Sequence, residues 1–186
     1  MDYQFIEVNQ SVIDETRSAW LRQVEESELD LPPWRFLQQL DSAEKGLHEP
    51  VAVAGLGSVS WHAVVAEEND KVACAMVEIS YAQTSRDDPN SRLKLLNLRL
   101  SPDLDSATGD ASSEMLHRVR DVLATLFEGI LEMSGEQKPT DTLKIYCERD
   151  ADAAFFEMVA VTLNSADSGV SLDVSRHGRW VLLNLQ

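Results

Sequence analysis

The sequence predicts an α+β fold, a mixed sheet of about six or seven strands flanked by helices. Three observations predict it. Apolar side chains alternate with period two in short runs between Trp61 and Leu100 and again near the C-terminus. A single amphipathic stripe runs from Met115 to Leu131. Clusters of Gly, Pro, Asn, Asp and Ser punctuate the chain between these runs.

Taken in order, Tyr3–Val8 reads as a strand with Tyr3, Phe5 and Val8 inward. Ser11 and Asp14 then have the spacing of a capping box, and Val12, Ile13, Thr16, Ala19, Trp20 and Val24 recur at helical spacing to about Glu26. Pro32-Pro33 restarts the chain, and Trp34, Leu37, Gln38 and Leu40 suit a second, shorter helix. Residues from Lys45 to Ser60, with Gly46, Pro50, Gly55 and Gly57, read as a loop holding a short strand at Val51–Ala54.

Trp61–Ala66 and Val72–Ala82 read as strands joined by a turn at Glu67-Glu68-Asn69-Asp70. In the second, Ala73, Ala75, Val77, Ile79 and Tyr81 line one face; Val72, Cys74 and Met76 line the other until Glu78 and Ser80 turn it polar. Leu93–Leu100 reads as a further strand, with Leu96, Leu98 and Leu100 on one face and Leu95, Asn97 and Arg99 on the other. Asp103–Ser113 is expected to be a loop, Met115–Met133 a helix stopped by Gly135, Leu143–Cys147 a strand and Ala153–Leu163 a helix. Val170–Val174 and Trp180–Leu185 would form a hairpin turning near His177-Gly178.

The 186 residues suit one domain spanning 1–186, and the 44% hydrophobic content argues against disorder. The formal charge of −16 should repel bare nucleic acid and anionic membranes. A basic protein partner or a small molecule is the ligand class left open, beside the plainer reading of a solubilising surface. No stretch suits a signal peptide or a membrane span, so a cytoplasmic protein is expected. Cys74 and Cys147 lie in apolar runs and read as buried free thiols, although Cys147 with His177 would make a nucleophile and base if they met. His48, His62, His117 and His177 lack ligand spacing, so no metal site is expected.

The element order strand, two helices, hairpin, strand, long helix, strand, helix, hairpin resembles the GNAT-type acyl-CoA N-acyltransferases. Leu96-Asn97-Leu98-Arg99-Leu100-Ser101-Pro102-Asp103 looks like that family's fourth strand and the start of its cofactor loop, and Phe155-Phe156-Glu157-Met158-Val159-Ala160-Val161 is similar to its late helix. The resemblance implies a mainly antiparallel mixed sheet flanked by helices, and acetyl-CoA or another acyl-CoA as cofactor if the chain is active. The pantetheine arm would bond to strand backbone at Leu98 and Leu100. Gly109, Ser112 and Ser113 would stand where phosphates are cradled.

The chain departs from that family where chemistry is concentrated. The segment from Asp105 to Ser113 holds one glycine, and neither Lys nor Arg occurs between Arg99 and Arg118. Asp103, Asp105, Asp110 and Glu114 instead surround the phosphate position, where each uncompensated carboxylate opposes a dianion by about 1 kcal/mol. Phe156 stands where a proton-donating tyrosine is expected and has no proton to give. Glu78 is the one acidic candidate for a general base, against a plainer reading as a solvated strand-end carboxylate. The expected function is that of a diverged acetyltransferase-like protein, non-catalytic or with altered cofactor binding, acting through ligand or protein binding. An active acetyl-CoA-dependent N-acetyltransferase and an acidic protein-interaction module are the alternatives.

Overall fold

The structure, a computed structural model, describes residues 2–27, 32–48, 58–82, 91–105, 113–136, 140–147, 153–154, 156–158, 161 and 172–185. Among the described residues seven strands form one sheet in the order β1-β2-β3-β4-β5-β7-β6. The strands are β1 (Tyr3–Glu7), β2 (Ser58–Ala66), β3 (Asn69–Ala82), β4 (Arg92–Leu100), β5 (Thr142–Tyr146), β6 (Leu172–His177) and β7 (Trp180–Leu185). The helices are α1 (Gln10–Glu26), α2 (Pro33–His48), α3 (Pro102–Asp105) and α4 (Ser113–Glu136).

The sheet is mixed and mainly antiparallel, as expected. The strand pairs β1/β2, β5/β7 and β6/β7 run antiparallel, and the two-residue turn between β2 and β3 imposes the same sense there. The Ser101 amide donates to the Cys74 carbonyl at 2.8 Å, which sets the end of β4 against the first half of β3. The pair β4/β5 is parallel, Leu93 opposite Leu143, and α3 and α4 lie in the crossover that a parallel pair requires.

The chain divides into two compact units, the first comprising Met1–Val51, Val59–Glu78 and Asn97–Leu131 and the second Ala52–Ser58, Ile79–Leu96 and Glu132–Gln186. In the first unit α1 and α2 close a core of Val12, Ile13, Trp20, Phe36, Leu40, Trp61 and Met76. Trp20 is fully buried; its indole donates to the Ala73 carbonyl at 2.8 Å and meets the Phe36 ring edge-on, with ring centroids 6.0 Å apart. Thr16 accepts from the Ala73 amide at 2.9 Å, so both main-chain groups of one β3 residue are satisfied by α1. In the second unit Leu143 and Ile145 of β5 and Val181 and Leu183 of β7 are buried, while β6 exposes Asp173, Arg176 and His177. Charges on an outermost strand discourage pairing with a further chain.

Several boundaries differ from expectation for identifiable reasons. Asn9, rather than Ser11, caps α1, its side chain accepting from the Val12 amide at 3.1 Å. The second helix runs on to His48 because Gly46 lies inside it as a packing residue: a Cβ there would stand 3.0 Å from the Trp61 indole nitrogen. Likewise α4 begins at Ser113 and continues through Gly135. Its Val122, Leu123, Leu126, Phe127, Ile130 and Met133 are buried as the stripe implies, whereas Leu116 is exposed. Residues 102–105, expected to be loop, form α3. The final hairpin turns at Gly178, whose φ of 62° suits a two-residue turn that glycine enters without steric cost. The described residues of 153–161 are helical. The expected strand at Val51–Ala54 lies outside the described residues.

Candidate functional site

The site the sequence points to lies at the second half of β4, where one residue departs from extended backbone. Leu93 and Leu95 are buried, but Asn97 is exposed with a φ of 50°, the left-handed region that asparagine tolerates better than most residues. The simple alternation expected for Leu93–Leu100 therefore fails. Apolar positions follow Leu93 and Leu95 up to this point and Leu96, Leu98 and Leu100 around and beyond it, a change of parity that one left-handed residue accommodates. That change is visible in the sequence and would have located Asn97.

Two side chains fix the position. Gln39, on the inner face of α2 and 6% exposed, donates from Nε2 both to the Met76 carbonyl, at 2.9 Å, and to the Asn97 carbonyl. The Asn97 side-chain amide in turn donates to Oε2 of Glu78. Glu78, half-buried on β3, is thus tethered beside the turn in β4. Leu98 and Leu100, proposed for backbone contacts, are half-buried in β4. Gln39 was not singled out from sequence, since its polar side chain reads as part of a solvated face; its place one residue before Leu40 on the buried stripe was the available signal.

After β4 the chain enters α3, where the charges are organised differently from the sequence expectation. Asp103 accepts from the Ser101 hydroxyl and pairs with Arg118 of α4 at 3.3 Å. Asp105, its side chain only 8% exposed, pairs with Arg35 of α2 at 3.4 Å. Two of the four carboxylates taken as uncompensated are therefore matched by guanidinium groups, one of them from a distant part of the sequence. Ser113 is the first residue of α4 and exposed, as is Glu114. Gly109, Asp110 and Ser112 lie outside the described residues.

The remaining candidates are the two thiols, His177 and Phe156. Burial, and then the negative charge of Asp103, push the half-buried Cys74 thiol up to about 11, which keeps it protonated at neutral pH. Cys147 is buried, its thiol facing the Ile145 carbonyl at 3.9 Å, while His177 is exposed at the end of β6. Phe156 is buried in the late helical segment, packed as an apolar residue. Among the described residues no cluster of His, Cys, Asp and Glu is arranged to hold a metal, and no helix is long and apolar enough to cross a membrane.

No protein-family model matches the sequence, and no curated protein matches it. Several solved structures are similar. NAA60 of Arabidopsis thaliana, solved in complex with acetyl-CoA, is 9% identical with a TM-score of 0.48, over 99% of this chain and 98% of that one. The aminoglycoside N(6')acetyltransferase of Legionella pneumophila is 13% identical with a TM-score of 0.47, over 100% and 93%. The N-acetyltransferase PseH of Campylobacter jejuni is 11% identical with a TM-score of 0.44, over 99% and 97%. At such identities no site residue transfers from those proteins to this chain; the chain is similar to these N-acetyltransferases over nearly its whole length.

Proposed function

We propose that this chain is a diverged acetyltransferase-like protein that acts by binding a ligand or a protein rather than by transferring an acyl group. The observation that carries this reading is the pairing of Arg118 with Asp103 and of Arg35 with Asp105. At the turn from β4 into α3, where an acyl-CoA would need cations for its phosphates, these guanidinium groups are committed to carboxylates of the same chain. A phosphate would have to displace these pairs, and breaking the one to largely buried Asp105 costs about 3 kcal/mol. Phe156, buried and without a transferable proton, supports the same reading.

Glu78 and Asn97 favour a second reading, in which the chain remains an active N-acetyltransferase. A carboxylate tethered beside an exposed left-handed turn of β4 could take a proton from an amine bound there. Acetyl-CoA or another acyl-CoA would then be the cofactor, with Leu98 and Leu100 offering backbone groups. The high negative charge keeps a basic protein partner in view and makes nucleic acid and anionic membrane unsuitable partners. A cytoplasmic location accords with these partners.

A thermal-shift titration with acetyl-CoA separates the readings. Ligand at 100 times its dissociation constant stabilises a protein by about 2.7 kcal/mol, an easily seen rise in melting temperature. The binding-only reading expects no rise with acetyl-CoA. A saturable rise, followed by acyl transfer to small amines that is lost in Glu78→Gln, would establish the enzyme instead.

A further inference from the structure

Gln39 is placed where an ordinary core residue would be apolar. It stands on the buried face of α2 with Phe36, Leu40 and Ala43. Its side-chain nitrogen reaches across to two carbonyls on adjacent strands, those of Met76 on β3 and Asn97 on β4. An amide nitrogen has two hydrogens, so both are committed. A carbonyl that bonds to a side chain arriving from a helix is directed toward that helix. For Asn97 this direction coincides with a φ of 50°, a conformation that asparagine reaches at some cost and that needs surrounding contacts to persist.

We infer that Gln39 is a positioning residue for the β4 site: its amide clamps the Met76 and Asn97 carbonyls, holds Asn97 left-handed, and so sets how residues 97–100 and the Glu78 side chain are presented. The geometry explains why the left-handed residue of β4 is Asn97. Asn97 is held on both sides, its carbonyl by Gln39 and its side-chain amide by Glu78. Glu78 is oriented through Asn97 rather than by its own strand alone. The clamp operates whether the β4 end receives an acyl-CoA, another ligand, or a protein segment.

The test is spectroscopic and uses the full chain. In the unmodified protein both Gln39 side-chain amide protons should exchange with solvent far more slowly than those of exposed Gln38, and the Asn97 Cα and Cβ shifts should report left-handed backbone. Free exchange of either proton would overturn the clamp without any variant. In Gln39→Met, similar in size but without donors, the Asn97 shifts should move to extended values and the Asn97 side-chain amide should lose its Glu78-bonded signature. Retention of left-handed shifts in a folded Gln39→Met protein would refute the inference. A purely space-filling role also predicts that Gln39→Met and Asn97→Gly have additive effects on the urea midpoint. The clamp predicts non-additivity, since glycine relieves left-handed strain only while that strain is imposed.

Discussion

Replacing Gly129 by Ala should destabilise the protein, although helix propensity alone favours alanine by about 1 kcal/mol. Gly129 lies within α4, and a Cβ there would stand 2.2 Å from Cδ1, 2.4 Å from Cγ and 2.6 Å from Cβ of Phe5. Carbon atoms in ordinary contact sit about 3.5–4.0 Å apart, so ring or helix must give by more than ~1 Å. The ring is not free to give. It is stacked on the buried His62, centroids 4.9 Å apart and planes within 7°, and the clash reaches its own Cβ, next to the β1 backbone. Overpacking of this kind costs about 1–3 kcal/mol, and a clash that reaches the Phe5 Cβ belongs to the upper part of that range, so the net loss after the propensity gain is up to about 2 kcal/mol. With m near ~2 kcal/mol/M, the urea midpoint should fall by up to about 1 M with m unchanged. Gly135→Ala in the last turn of the same helix is the control, because nothing lies within 4 Å of a Cβ there. That substitution should stabilise by up to about 1 kcal/mol, less any fraying. If both substitutions stabilise equally, the packing of β1 against α4 described here is wrong.

Three further outcomes are expected. Trp20→Phe leaves the buried Ala73 carbonyl without its indole donor and opens space beside Phe36, so it should cost about 2–3 kcal/mol in urea unfolding. Cys74, with a thiol at about 11 against an ordinary 9.0, should react with iodoacetamide at pH 8 about 100-fold more slowly in a Cys147→Ala background than a free thiol does. Because that folded value is raised, the unfolded thiol ionises first. Its contribution to stability is complete below about pH 9 and is lost as pH rises toward 11, by up to about 2 kcal/mol relative to Cys74→Ala. Arg35→Ala should cost about 3 kcal/mol by removing the ion-pair partner of largely buried Asp105, and Asp105→Arg should cost more by setting its guanidinium against that of Arg35.

Much of the fold was legible because the signals were local. The stripe of α4, the two faces of β3 and the C-terminal hairpin follow from periodicity, and the structure places their core residues as that periodicity implies. What the sequence hid depends on residues distant along the chain. Gly46 reads as a helix stop until Trp61 is seen against it, and Asn9 outcompetes the nearby Ser11 for the cap by geometry alone. The charge of the α3 segment looked uncompensated because Arg35 is far away in sequence and Arg118 lies beyond the loop. Asp105→Arg would break one of these pairs rather than add a cation to an uncompensated loop. Glu78 could be picked out from the sequence as an acidic candidate, but its hydrogen bond with Asn97 and the Gln39 bond behind it could not.

Calorimetric titration of the intact chain with acetyl-CoA tests the central claim most directly. No saturable heat is expected up to millimolar ligand, because Arg35 and Arg118 are already paired with Asp105 and Asp103. A one-to-one isotherm with a micromolar dissociation constant, about −8.2 kcal/mol of binding free energy, would contradict it and establish an acyl-CoA site.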